Sequence, residues 1–158
     1  LCLNLCFETD IEETSKDTVT VQPSTSVVER VCKRTAQTND YTSVIRAMKE
    51  GPKVRGQDRN SYLLKDGTIP DVYPIIVQAI AQNPPNLTIT YPLLLGRIEQ
   101  LCKNDGPKGS SVTGACEHIS AIANSTAGAS IIEWDETKDV LDIRDPYLLF
   151  AMRWSETK

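Results

Sequence analysis

The chain has 158 residues and a formal net charge of −4 at pH 7, with 17 lysines and arginines against 21 aspartates and glutamates. This length is enough for one sizeable core or two small ones. No apolar run approaches the roughly 20 residues that a bilayer-spanning helix needs, so we expect no membrane partner. The acidic balance also argues against nucleic-acid binding through the surface as a whole.

The first nine residues have the alternation of a half-buried strand. Apolar side chains occupy every second position, at Leu1, Leu3, Leu5 and Phe7. The chain opens without Met and without a signal-peptide pattern, so we interpret it as a fragment of a larger protein. Its five cysteines are an odd number, and residues 2 and 6 of a strand lie about 13 Å apart, too far for a disulfide. We therefore expect reduced thiols and a cytoplasmic location.

The next segment predicts one short strand and two helices. Residues 18–21 are β-branched and end before Pro23. Ser24 or Thr25 is suited to cap a helix whose apolar stripe consists of Val27, Val28, Val31 and Cys32. A second helix opens near residues 38–40 and ends at the Gly51-Pro52 stop signal, with Tyr41, Val44, Ile45 and Met48 on its apolar face. Residues 51–68 are predicted to be a linker with a short ordered piece at 62–64.

Helical periodicity is clearer after this linker. Starting at Pro70, a first helix carries its apolar side chains at Val72, Ile75, Ile76, Ala79 and Ile80. Residues 83–86 break it, and residues 87–89 form a minimal strand. Thr90 is the expected cap of a second helix, whose apolar face consists of Leu94, Leu95, Ile98, Leu101 and Cys102.

A third helix, a hairpin and a last helix complete the chain. Ser110 or Ser111 is the expected cap of the third helix, which has its stripe at Val112, Ala115, Cys116, Ile119, Ile122 and Ala123. Residues 130–134 and 140–143 predict two strands joined by a polar turn. Asp145 is expected to cap a helix over 146–154 with Tyr147, Phe150, Ala151 and Trp154 on one face.

This order of elements is typical of a winged helix-turn-helix. The predicted fold class is α+β and mostly helical, with a strand-plus-helices segment over residues 1–66 and a winged-helix domain over residues 67–158. A helical domain with an incidental hairpin remains the alternative. The sequence contains no phosphate-binding loop of the Gly-x-x-x-x-Gly-Lys-Ser/Thr type, and the segment GPKGSS, residues 106–111, only resembles one in part.

The segment VLDIRDPYLLFAMRW, residues 140–154, resembles the strand-to-helix exit that follows winged helices appended to AAA+ and related P-loop ATPases. These include origin-recognition-like and prokaryotic defence-type proteins. The resemblance covers this exit and the element order, about half of the chain. It implies that residues 1–66 are the end of an ATPase-type domain whose nucleotide site lies upstream. It carries over no catalytic residue.

Charge is distributed unevenly. Residues 105–142 contain two cations and seven carboxylates, whereas residues 26–65 contain nine cations and four carboxylates. Phosphate contacts need lysine and arginine, so double-stranded DNA, if bound, is expected at Arg30, Lys33, Arg34, Arg46, Lys49, Lys53, Arg55 and Arg59. The alternative is a protein partner or a homo-oligomer, bound through Glu117, His118, Glu133, Trp134 and Asp135.

No constellation for catalysis or metal binding stands out in the sequence. The single histidine, His118, and Cys116 lie two positions apart on a predicted helix and face different directions, which excludes them as a zinc pair or a Cys-His couple. Asp145 is better explained as a helix cap than as a metal ligand. We therefore predict a non-catalytic module with no cofactor and no metal, which contacts DNA or regulates its parent protein, or else binds a protein.

Overall fold

The computed structural model describes residue 5 and residues 24–37, 41–53 and 58–155. Within these residues it contains six helices: α1 (Thr25–Gln37), α2 (Thr42–Glu50), α3 (Val72–Ile80), α4 (Tyr91–Leu101), α5 (Ser110–Ala127) and α6 (Pro146–Trp154). The strands are β1 (Thr88–Thr90), β2 (Ile132–Asp135) and β3 (Val140–Ile143). The protein is therefore α+β and mostly helical, as the sequence predicts.

The three strands form one small antiparallel sheet in the order β1-β3-β2. Leu141 lies at its centre, paired with Ile89 on one side and with Trp134 on the other. All three residues are buried, as are Ile132 and its partner Ile143. The register therefore gives the sheet one apolar face toward the core, and α5 packs against β2 on the same side of the hairpin.

One cluster of buried side chains joins α2 to the elements that follow it. Helix α3 lies at its centre, in contact with α2, α4, α5 and α6. Val44, Ile45 and Met48 of α2 belong to this cluster and are almost completely buried. Because α2 also packs directly against α5, residues upstream of position 66 contribute to the same interior as the three helices and the sheet.

The loop before α3 contains the short ordered piece expected at residues 62–64. The amide of Tyr62 donates to the carbonyl of Pro70, and that of Leu64 donates to Thr68. Leu64 is 2% exposed and pairs with Cys102 at the end of α4. This pairing ties the loop to the core.

Two aspartates begin helices. Asp71 accepts a hydrogen bond from the amide of Tyr73, so α3 starts at Val72 and not at the predicted Pro70. Asp145 accepts one from the amide of Tyr147 and caps α6, which confirms the prediction. The cap expected for α5 is wrong, because its N-cap is Gly109 with φ 56 and no side-chain cap bond is made.

The buried face of α6 also differs from the prediction. Tyr147 is 65% exposed, and the side chains that enter the core are Leu148, Leu149, Ala151 and Met152. These residues face α1 and α3, both of which contact α6. Similarly, Val28 of the predicted α1 stripe is exposed, whereas Val31 and Cys32 are buried.

The strands predicted at residues 1–9 and 18–21 lie outside the described residues, with one exception. Leu5 has a helical backbone, so the strand prediction is wrong at that position. Among the helices that the structure describes, none is both long enough and apolar enough to cross a membrane.

Candidate functional site

Helix α5 separates two surface depressions. Its buried stripe faces the core, and Ser110 and Gly114 on its opposite side line both depressions. Gly109 adopts a positive φ immediately before the helix, and its amide donates to the hydroxyl of Tyr91 at 2.8 Å. This bond fixes the start of α5 against α4.

The first depression, which we call the basic cleft, lies between α5 and the loop that precedes α3. It is open to solvent and has a volume of about 630 Å³. Its polar lining consists of Lys53, Arg59, Asn60, Tyr62, Tyr73, Ser110, Ser111 and His118. Two of the cations predicted to contact DNA therefore lie beside the only histidine of the chain.

Arg59 is held by several groups of the chain itself. Its Nη1 donates to the carbonyl of Glu50 at 2.8 Å and to Asp71 Oδ2 at 2.6 Å, and its Nη2 donates to the carbonyl of Pro52. The guanidinium also lies 4.5 Å from the centre of the Tyr73 ring. Arg59 therefore fastens the loop to the first turn of α3, which is a structural role.

Tyr73 extends this network to α5. Its hydroxyl lies 3.0 Å from Nδ1 of His118. Burial raises the pKa of Tyr73, and the charge of Arg59 opposes this shift. A Cβ atom on Gly51, where φ is 63, would lie 2.6 Å from the same ring, so a glycine is needed for this packing.

The second depression, which we call the acidic groove, lies between α5 and the β2–β3 hairpin. It has a volume of about 330 Å³, and its lining consists of Ser110, Thr113, Gly114, Glu117, Trp134, Glu136 and Asp139. Three of these residues are acidic, and none of the described residues in the lining is a lysine or an arginine. Of the predicted interaction residues, Glu117 and Trp134 are in this groove.

The other two acidic residues predicted for interaction are paired within the hairpin. Asp135 accepts hydrogen bonds from Lys138 and from the hydroxyl and amide of Thr137, which lower the pKa of its carboxyl to about 2. Glu133 forms an ion pair with Arg144, and both side chains are half exposed. The hairpin turn is therefore ordered by its own charges.

The remaining predicted DNA contacts lie on different elements. Arg30, Lys33 and Arg34 are exposed on α1, which packs against α6. Arg46 is exposed on α2, while Lys49 is half-buried and desolvation lowers its pKa. Lys49, Lys53 and Arg59 line an open cleft of about 730 Å³ together with Glu50, Asp58 and Asp71. Arg55 lies outside the described residues.

Cys116 and His118 lie on different faces of α5. Cys116 is completely buried, and burial raises its thiol pKa to about 12, whereas His118 is exposed. Among the described residues, no group of three or more histidine, cysteine or acidic side chains is arranged to hold a metal ion.

Sequence reasoning missed the partners of two site residues. The contact between Tyr73 and His118 joins positions 45 apart, and the bond from Arg59 to Asp71 spans a linker without periodicity. A single cation in a glycine-containing linker ahead of an aspartate cap is a weak signal for such a pair. Comparison with family models, with curated proteins and with solved structures finds no match for this chain.

Proposed function

We propose that this chain is a non-catalytic winged-helix module that binds a protein partner through α5 and the hairpin. The element order supports the winged-helix assignment, because α3, β1, α4, α5 and a two-stranded wing follow one another along the chain. The sheet order β1-β3-β2 is consistent with it, since the wing strands continue a sheet begun between the first two helices. In this assignment α5 is the recognition helix.

The observation that carries the proposal is the acidic groove. In a DNA-binding winged helix, the recognition helix and wing approach phosphates, which need lysine and arginine. Here Glu117 on the helix and Glu136 and Asp139 on the wing line the space between them. This surface repels a phosphate backbone and is suited to a protein surface of opposite charge.

The resemblance of residues 140–154 supports a further part of the proposal. We place the module at the C-terminal side of an ATPase-type domain in a larger protein, where it regulates its parent by binding a partner. The buried α2 residues are consistent with a module that begins upstream of α3.

A second candidate function is contact with double-stranded DNA through α1. The observation that favours it is the exposure of Arg30, Lys33 and Arg34 on one helical stripe. These positions lie away from the acidic groove in sequence, on the helix that packs against α6.

Titration with a labelled DNA duplex separates the two candidates. Phosphate contacts are strongest at low salt, so a protein-binding module should show no binding even at about 50 mM salt. Binding that weakens steeply with salt, and is lost when Arg30, Lys33 and Arg34 are all replaced by Gln, would favour the DNA candidate.

Crosslinking tests the protein-binding face directly. A photoreactive benzophenone amino acid placed at Thr113 in the full-length protein should capture a protein in cells, because this position lines the acidic groove and not the basic cleft. The same group at Gln37, which is exposed on α1, is the matched control. Equal products at both positions, or none at Thr113, would contradict the proposed face.

A further inference from the structure

The two outer edges of the sheet differ. At the edge formed by β2, the side chain of Asn124 accepts from the amide of Ile132 at 3.2 Å and donates to the carbonyl of Ile132 at 2.8 Å. Asn124 of α5 therefore makes the hydrogen bonds that a further strand would make there. The other edge is formed by β1, which packs mainly against β3 and against α4, the helix that continues directly from it.

The hydrogen bonds between β1 and β3 show which backbone groups of β1 face outward. The carbonyl of Leu87 accepts from the amide of Ile143 at 2.7 Å, and the amide of Tyr91 donates to the carbonyl of Asp139 at 2.8 Å. Backbone groups alternate between the two sides of an antiparallel strand, so those of Thr88 point away from β3. Among the described residues, none forms a hydrogen bond with the backbone amide or carbonyl of Thr88, which is exposed. We call this side of β1 the free edge.

The side chains on either side of the free edge are apolar. Leu87, immediately before β1, is 43% exposed, and Leu93, in the first turn of α4, is 40% exposed. They are two of the five large apolar side chains that are exposed within the described residues. Pro84, Pro85 and Pro92 are exposed close to them in the sequence. An open strand edge with apolar flanks is a surface that favours pairing with another strand.

The charge of this region indicates which strand pairs with it. Residues 72–96 are the longest stretch of the sequence without a lysine, arginine, aspartate or glutamate, and they include β1. A two-fold axis places a surface against its own copy, so charged side chains on an edge strand repel their counterparts and prevent pairing. At β1 this repulsion is absent. The edge is also complementary to itself, because antiparallel pairing brings the Thr88 amide of each copy to a carbonyl of the other.

We propose that two copies of the chain pair through the free edges of their β1 strands. The strands lie antiparallel about a two-fold axis close to Thr88, and the two sheets join into one continuous antiparallel sheet. Leu87 and Leu93 are buried against the second copy. This interface lies at the opposite edge of the sheet from β2, which borders the acidic groove, so the inference goes beyond the proposed function and does not depend on it.

Sedimentation velocity over a series of protein concentrations measures the association. The wild-type chain should pass from monomer to dimer as its concentration rises, and no larger species should form, because a two-fold interface closes on itself. A chain that stays monomeric up to about 1 mM, where even weak association is detected, would overturn the proposal. A continuous series of larger species would overturn it as well.

Thr88→Pro removes the outward amide and leaves the hydrogen bonds between β1 and β3 in place. It should weaken dimerisation about thirtyfold, because one hydrogen bond is lost from each copy. Thr88→Val is the matched control. Both variants lose the hydroxyl that donates to Asp142, but Thr88→Val keeps the amide and should dimerise within about twofold of the wild type. Equal weakening in the two variants would contradict pairing through this amide.

A second pair of variants tests the apolar flank. Leu93→Lys places two like charges at the interface and should abolish the dimer. Ile69→Lys adds the same charge at a side chain that is 66% exposed in the loop before α3, and it should leave the dimer intact. Circular dichroism shows that each variant is folded. A dimer that persists in Leu93→Lys, or equal loss in both lysine variants, would overturn the proposal.

Hydrogen exchange, followed by NMR of the ¹⁵N-labelled protein, locates the interface. The Thr88 amide should exchange rapidly in dilute solution and more slowly as the dimer forms. The amide of Ile89 faces β3 and should be protected at every concentration. A dimer in which the exchange of Thr88 is independent of concentration would use another surface and would overturn the proposal.

Discussion

At the scale of single residues, Arg97 is the least expected feature of the core. It is 3% exposed and donates from Nη1 to the carbonyls of Ala79 and Ile80, and from Nη2 to the carbonyl of Pro84 and to Oδ1 of Asn86. A cation is well placed there, because carbonyls at the C-terminal end of a helix are left with spare acceptor capacity and carry the negative end of the helix dipole. Burial lowers the pKa of Arg97, and the nearby charge of Arg153 acts in the same direction.

We predict that Arg97→Met destabilises the protein by about 3 kcal/mol, because it leaves buried acceptors without a donor. Denaturant unfolding measures the change. Arg144→Met is the matched control, since Arg144 forms a half-exposed ion pair and should contribute less than about 1 kcal/mol. If both variants lost a similar amount of unfolding free energy, the buried contacts of Arg97 would contribute no more than an exposed ion pair.

A second residue-scale prediction concerns Tyr41, whose hydroxyl donates to Asp145 across the fold. This hydrogen bond, followed by burial and the charge of Asp145, raises the pKa of Tyr41 from 10.0 to about 12. Because the folded pKa lies above the unfolded one, the stabilisation is complete below pH 10 and is lost as the pH rises through about 12.

Tyrosinate absorbance during alkaline titration checks this prediction. The difference between wild type and Tyr41→Phe should show one phenol that ionises near pH 12. Asp145→Asn keeps a capping side chain at α6 but removes the charge, so Tyr41 should ionise at lower pH in this variant. An unchanged midpoint would argue against the Tyr41–Asp145 bond.

At the scale of elements, periodicity predicted the helices α2 to α6 and the hairpin to within a few residues. The hydrophobic periodicity of these segments is strong enough to predict both the helix and its buried face. In α3, for example, the side chains predicted to be buried are all in the core. The face of α6 was predicted wrongly, since Leu148 and Leu149 are as apolar as Phe150 and Trp154. Only the positions of α1 and α3, which are set by distant contacts, decide between the two faces.

The candidate site was less predictable than the fold for the same reason. The sequence indicated an acidic wing and placed Glu117 and Trp134 among the interaction residues, and both lie in the acidic groove. The sequence did not predict that the Arg59 guanidinium would form hydrogen bonds with other groups of the chain, as the structure shows. Contacts between residues far apart in the sequence depend on tertiary packing. Tertiary packing leaves no periodic pattern in the sequence from which such contacts could be predicted.

Asn124 provides the prediction at this scale. Its Oδ1 accepts hydrogen bonds from the amides of Ile131 and Ile132, and its Nδ2 donates to the carbonyl of Ile132, so it joins α5 to the start of β2. We expect Asn124→Ala to cost about 2 kcal/mol and to speed hydrogen exchange at both isoleucine amides. Asn104→Ala, at an exposed bend, is the control. Unchanged exchange in the hairpin would rule out this role.

At the scale of the whole molecule, charge and packing are organised around α5. The basic cleft lies on one flank and the acidic groove on the other, while the core beneath is continuous. Lys53 and Arg59 are therefore held close to the face that we propose for partner binding, and the acidic groove gives that face its local charge. The formal net charge of −4 does not show that basic and acidic side chains lie on opposite flanks of α5.

The last prediction concerns the domain boundary expected between residues 66 and 67. A fragment over residues 67–158 lacks α2, and with it Val44, Ile45 and Met48, each of which is at most 3% exposed. Burying three such side chains contributes roughly 6 kcal/mol, which is comparable to the whole stability of a small domain, about 5 to 15 kcal/mol. We therefore expect the fragment over residues 67–158 to lack a cooperative thermal transition and a fragment over residues 41–158 to retain one. Circular dichroism during heating compares the two, and a sharp transition in the shorter fragment would show that the core beneath α5 does not require α2.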